Sequence, residues 1–234
     1  MHLVDHLFLL IILVIQPIYG AVTYRRYVRS IEAGGSADRP LLYRHTFFGE
    51  WAACIILFGV WIWQDRPFVD LGLVPGELSG VLAGLGIVLL ITAAFFRGLM
   101  KTRAMDDHER REAAETLGDL VHFLPHDARE YRYFAALSLT AGFVEEIIYR
   151  AFLFWYLGMF MPLWAVVIVS SILFGLAHSY QGLGGMLKVT LMGLAAALLY
   201  VVSGTIWIPM LAHALVDILQ GLSLVEVLKH RKKD

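Results

Sequence analysis

Apolar residues along this 234-residue chain gather into seven long runs, near residues 3–22, 46–63, 76–96, 133–157, 161–179, 183–202 and 205–226. Each is close to the roughly 20 residues that an α-helix needs to cross the hydrocarbon core of a bilayer. The pattern predicts an all-α fold, a polytopic transmembrane bundle of about seven spanning helices. It divides the chain into a three-helix region (1–97), a loop (98–132), a second group of helices (133–226) and a basic tail (227–234). In the long loop, Leu117, Leu120, Val121 and Leu124 recur at i, i+3, i+4 and i+7, with Glu112, Glu115 and Asp119 on other faces. That spacing predicts a short amphipathic helix on the cytoplasmic interface, stopped by Pro125.

Composition agrees with the pattern. The chain is 59% hydrophobic and 17% charged, with a mean hydropathy of +0.67, too little polar surface for a soluble domain of this size. A net charge of −1 shows no sign of a nucleic-acid partner, and the lone Cys54 rules out an intramolecular disulfide. No Lys or Arg precedes the first run, whereas Arg25, Arg26 and Arg29 follow it, the reverse of a signal peptide. Residues 23–45 carry five arginines, 97–132 carry six Arg and one Lys, and the tail holds Lys229, Arg231, Lys232 and Lys233. The alternate loops hold only Arg66. By the positive-inside rule the N-terminus lies outside and the C-terminus in the cytoplasm, in what is expected to be a prokaryotic cell membrane. Glu50, at the start of the second run, reads as interfacial, and Trp51, Trp61, Trp63, Trp155, Trp164 and Trp207 as an aromatic belt facing lipid.

Three polar groupings interrupt the apolar runs of the C-terminal half. In "EEIIYR", Glu146 and Arg150 stand at i and i+4 and can neutralise each other, while Glu145, about 100° round the helix, is left free. A free buried carboxylate can serve as a general base; three charges that only hold helices together are the alternative. In "FGLAH", Phe174 and His178 lie one turn apart; in "HALVD", so do His213 and Asp217. Intramembrane His and Asp residues at this spacing suggest function. If their helices are neighbours, Glu145, His178, His213 and Asp217 can meet in the cytoplasmic half of the membrane, with the chemistry to hydrolyse a bond by activated water.

In order and spacing these segments resemble the E-E-x-x-x-R, F-x-x-x-H and H-x-x-x-[N/D] motifs of the CAAX protease and bacteriocin-processing family of intramembrane endopeptidases, over about residues 122–221. The resemblance implies a base in Glu145 assisted by His178, a role for His213 and Asp217 at the oxyanion or scissile carbonyl, and structural support from Glu146, Arg150 and Phe174. It also implies a glutamate-type enzyme without bound metal, acting on a peptide or membrane-protein substrate. Members acting on prenylated tails tend to carry Asn where this chain has Asp217, and an ionised Asp cannot donate to an oxyanion. A Zn²⁺ site made of His178, His213 and Asp217 is the alternative. A catalytically silent protein that sequesters a peptide partner is the alternative function, and the completeness of the motifs argues against it. A proton-coupled transporter is a third reading, opposed by the lack of an inverted repeat.

Overall fold

The computed structural model describes residues 2–36 and 38–228; the basic residues 229–234 of the predicted tail lie outside the described residues. Eight helices are present and no strand occurs among the described residues. They are α1 (Leu3–Glu32), α2 (Arg39–Trp63), α3 (Leu78–Ala104), α4 (Asp107–Glu115), α5 (128–157), α6 (Leu163–Ala177), α7 (Gly182–Ser203) and α8 (Trp207–Leu228). Asp38, Asp106 and Asp127 cap α2, α4 and α5, each accepting backbone N–H bonds from the first turn, and Gly204, at φ +65°, ends α7 in the left-handed conformation.

Five helices are long and apolar enough to cross a membrane: α1, α2, α3, α8 and the segment Ser179–Ser203 that includes α7. This is the architecture of a multi-pass membrane protein. Two of the seven predicted spans differ from these. α5 has the length but carries Glu145, Glu146 and Arg150 near its middle, and α6 has only 15 residues.

Each set of loops gathers at one end of the bundle. The Ile206 N–H donates to Gly72 O at 3.1 Å, joining the connections 64–77 and 204–206. At the other end Tyr24 Oη donates to Asp119 O at 2.7 Å, Tyr43 Oη donates to Phe123 O, and Arg39 pairs with Glu130 at 3.4 Å.

Three local expectations change. The short helix of the long loop forms upstream, at Asp107–Glu115, while the apolar residues 117–124 build a 3₁₀ turn after Gly118 (φ +52°). Their side chains do not face lipid: Val121 and Leu124 are buried with Val227 and Leu228 at the end of α8. The tryptophans divide, with Trp63, Trp164 and Trp207 exposed as an aromatic belt requires and Trp61 wholly buried against Trp155. Trp51 stacks on Phe143, so it too joins helices instead of anchoring them in lipid. Glu50 is buried, near the middle of the 25-residue α2, because the Asp38 cap starts that helix about two turns earlier than the apolar run suggests.

Candidate active site

α5 packs against α2 and α8, and α6 against α7, so the three polar groupings meet where α5, α6 and α8 converge. The approach of α8 to α5 is close because Gly142 faces Ala214: a Cβ on Gly142 would lie 2.9 Å from the Ala214 backbone nitrogen. Small residues allow such contacts between apolar helices.

The two adjacent carboxylates of α5 have different surroundings. Glu146 is wholly buried, and its Oε1 accepts from Arg150 Nη1 at 3.0 Å and faces His213 Nδ1 at 2.8 Å. Arg150 continues to α7, where Nη2 donates to Gly193 O at 3.0 Å, and its guanidinium lies 4.3 Å from the centre of the Phe174 ring. Gly193 has no side chain in the way: a Cβ there would come within 3.2 Å of Nη2. Glu145, by contrast, is 18% exposed and makes no direct hydrogen bond among the described residues; its Oε1 lies 3.8 Å from His178 Nε2 and its Oε2 lies 3.8 Å from His213 Nε2. Asp217 Oδ2 stands 3.7 Å from the same His213 Nε2.

Partners on the far side of each ring fix which nitrogen faces Glu145. His178 Nδ1 is 2.8 Å from Phe174 O, a carbonyl that can only accept, so Nδ1 carries the hydrogen. His213 Nδ1 likewise faces a carboxylate already held by Arg150 and is the donor. Both Nε2 atoms therefore point at Glu145, as acceptors in the neutral rings. Phe174 supports both imidazoles, with centroids 4.8 Å from His178 and 6.0 Å from His213. Directly after Glu146, α5 widens into a π-helical turn over Ile147–Phe152, which contains Arg150. Such turns are rare and frequent at functional sites.

Two residues that the sequence did not place in the site, Glu50 and Tyr180, also interact with it. Glu50 interacts electrostatically with Glu145, His213 and Asp217. The Tyr180 ring lies tilted 5.9 Å from His178, and its hydroxyl interacts electrostatically with Glu145, Glu50 and Asp217 and accepts from Gln181 Nε2 at 3.2 Å. The signal for Tyr180 is its position two residues past His178; for Glu50 it is the single acidic residue of α2. As for the alternative Zn²⁺ set, no three His, Cys, Asp or Glu side chains among the described residues are grouped to hold one ion. An open cavity of about 600 Å³, lined by Val74, Glu77, Ser79 and Ser203, holds none of the motif residues.

Comparison with known families agrees with the motifs. Residues 128–219, the stretch that holds all three motifs, match the family described as Type II CAAX prenyl endopeptidase Rce1-like. No curated protein and no solved structure matches the chain.

Proposed function

We propose that the protein is an intramembrane endopeptidase in which Glu145 activates water. The observation that carries this reading is the placement of two imidazole Nε2 atoms, each 3.8 Å from a different oxygen of one partly buried carboxylate. That separation is too long for a direct hydrogen bond and suits a bridging water.

A water held there donates one hydrogen to Glu145 and the other to His178 Nε2. Glu145 takes the proton as the oxygen adds to the carbonyl carbon of the substrate. The charge on the carbonyl oxygen is met by Nε2–H of His213 in its imidazolium form, whose Nδ1–H remains on Glu146. Asp217, 3.7 Å away, orients this ring and does not itself serve as the oxyanion donor. The proton on Glu145 then passes to the departing nitrogen and the C–N bond breaks. Glu146, Arg150 and Phe174 hold the two rings in place. No step needs a metal ion.

The turn carrying His178 leads into Tyr180, which packs on Tyr24 and Phe123 at the end of the bundle where the basic loops gather. This supports a site in the cytoplasmic half of the membrane, with the N-terminus outside. The substrate class is a peptide or membrane protein; Asp217 in place of Asn leaves prenylation outside the proposal. The test is cleavage of a quenched-fluorescent peptide library by purified protein in detergent. Wild type is expected to cleave and Glu145→Gln to be inactive at unchanged melting temperature; cleavage surviving in Glu145→Gln would remove Glu145 from its role.

A further inference from the structure

Glu50 stands on α2, outside the stretch that matches the family, and belongs to none of the three motifs. It is 8% exposed, and among the described residues its Oε2 has no hydrogen-bond donor. Glu146 Oε2 also lacks a donor, but the other acidic groups of the site each have an ion-pair partner: Glu146 has Arg150 and His213, Asp217 has His213, and Glu145 has both imidazoles at 3.8 Å. Glu50 has no ion pair there. A buried polar group without a partner is costly, and an ionisable one within a membrane helix more so.

Packing places this carboxylate at the site. Its neighbour Trp51 stacks on Phe143 with centroids 5.6 Å apart and donates from Nε1 to Thr140 Oγ1 at 3.2 Å. Both partners lie in the turns of α5 just before Glu145, and the groups that Glu50 interacts with electrostatically are Glu145, His213 and Asp217. A residue that only joined α2 to α5 would have its oxygens bonded to one of them. The structure offers instead a buried acceptor with an empty donor position, within electrostatic reach of the groups proposed to cut the bond.

We propose that Glu50 receives the amine side of the scissile peptide bond: the amide N–H in the bound substrate and the ammonium group after cleavage. This rests on the endopeptidase reading above. A secondary amide presents one N–H donor and one carbonyl acceptor. Glu145, His178 and His213 serve the carbonyl carbon and oxygen, which leaves the N–H to be matched. When the C–N bond breaks, nitrogen gains the proton that Glu145 took from water. The new carboxylic acid gives up a proton, the amine takes it, and the ammonium is paired with the Glu50 carboxylate. Glu50 is thus a substrate-contacting residue supplied by the N-terminal helices, which explains why a site written in three C-terminal motifs is built inside a larger bundle.

Two substitutions separate this role from a structural one. Glu50→Gln keeps an acceptor oxygen but no charge, and Glu50→Leu keeps neither. Both are expected to melt at or above the wild-type temperature, because an unpaired buried carboxylate is removed. Against the peptide library kcat/KM is expected to fall about 10-fold in Glu50→Gln and about 100-fold in Glu50→Leu, the range of a charge-assisted hydrogen bond. A lowered melting temperature in Glu50→Gln, or full activity in Glu50→Leu, overturns the proposal. A readout without turnover keeps it separate from the endopeptidase reading. Wild type is melted with a pool of short peptides bearing free N-terminal amines and with the same pool acetylated. Stabilisation by the amine pool alone, absent in Glu50→Leu, supports Glu50 as the amine receiver even if no library member is cleaved. Equal stabilisation of both proteins, or none of wild type, refutes it.

Discussion

Nδ1 of His213 lies 2.8 Å from Oε1 of Glu146, the same oxygen that accepts from Arg150 at 3.0 Å. One buried carboxylate thus orients an imidazole from α8 and neutralises a guanidinium on its own helix. Removing it leaves Arg150 buried and unpaired, so Glu146→Ala is expected to lose about 3–5 kcal/mol of stability. Glu145, with no ion pair shorter than 3.8 Å, is expected to be replaceable by Ala at a cost of about 1 kcal/mol or less, with complete loss of cleavage. Melting of both variants in detergent, read beside the library assay, tests this division of labour. Equal melting temperatures would refute it.

The geometry around Glu145 depends on how closely α8 approaches α5. A methyl group on Gly142 would meet the backbone nitrogen of Ala214 at 2.9 Å, next to His213 in sequence, and backbone cannot swing aside. Gly142→Ala is expected to destabilise by about 1–3 kcal/mol, as overpacking does. It is also expected to lower cleavage by about 100-fold, because a reacting group displaced by about 1 Å loses that much. A Gly142→Ala protein with wild-type kcat would show that the spacing of His213 from Glu145 is not limiting.

No group of three His, Cys, Asp or Glu side chains among the described residues is arranged to hold a metal ion, and the proposed mechanism uses no ion. Protein stripped with a chelator and shown by elemental analysis to be free of zinc is expected to cleave at the wild-type rate. Activity that disappears with the metal and returns with added Zn²⁺ would transfer the water from Glu145 to an ion, and Glu145 would then act only as its base.

The helical class was legible from hydropathy alone, because a bilayer demands long apolar helices and little else. The three motifs were legible too, since the i, i+4 spacing puts Glu146 with Arg150, Phe174 with His178 and His213 with Asp217 whatever the helices later do. What spacing cannot contain is which helices are neighbours. Glu50 is separated from Glu145 by ninety-five positions, and only the packing of Trp51 on Phe143 and Thr140 shows that they belong together. The 3₁₀ turn at 118–122 was misread for a related reason. Its apolar residues do repeat at helical intervals, but Gly118 takes a positive φ and the apolar side chains find α8 instead of lipid. The π turn at Ile147–Phe152 leaves no mark in the sequence, because the residues within it are all ordinary helix occupants.

At the opposite end of the bundle Arg66 donates to both oxygens of Asp5, at 2.8 and 2.7 Å, with its guanidinium 4.6 Å from the Trp155 ring and 5.0 Å from Trp61. This pair ties the start of α1 to the ends of α2 and α5. Asp5 is 1% exposed, so Asp5→Ala strands a guanidinium among aromatic rings and is expected to cost about 3 kcal/mol. Arg66→Lys keeps the charge but loses the paired geometry and the stacking, and is expected to recover less than half of that. Trp155 is ten residues beyond Glu145, about 15 Å along the helix. The folded fraction of either variant is therefore expected to cleave within about twofold of wild type, and thermal melts with the library assay measure both quantities. If Asp5→Ala instead abolished cleavage at an unchanged melting temperature, this end of the molecule would have to be reassigned from holding the helices together to handling substrate.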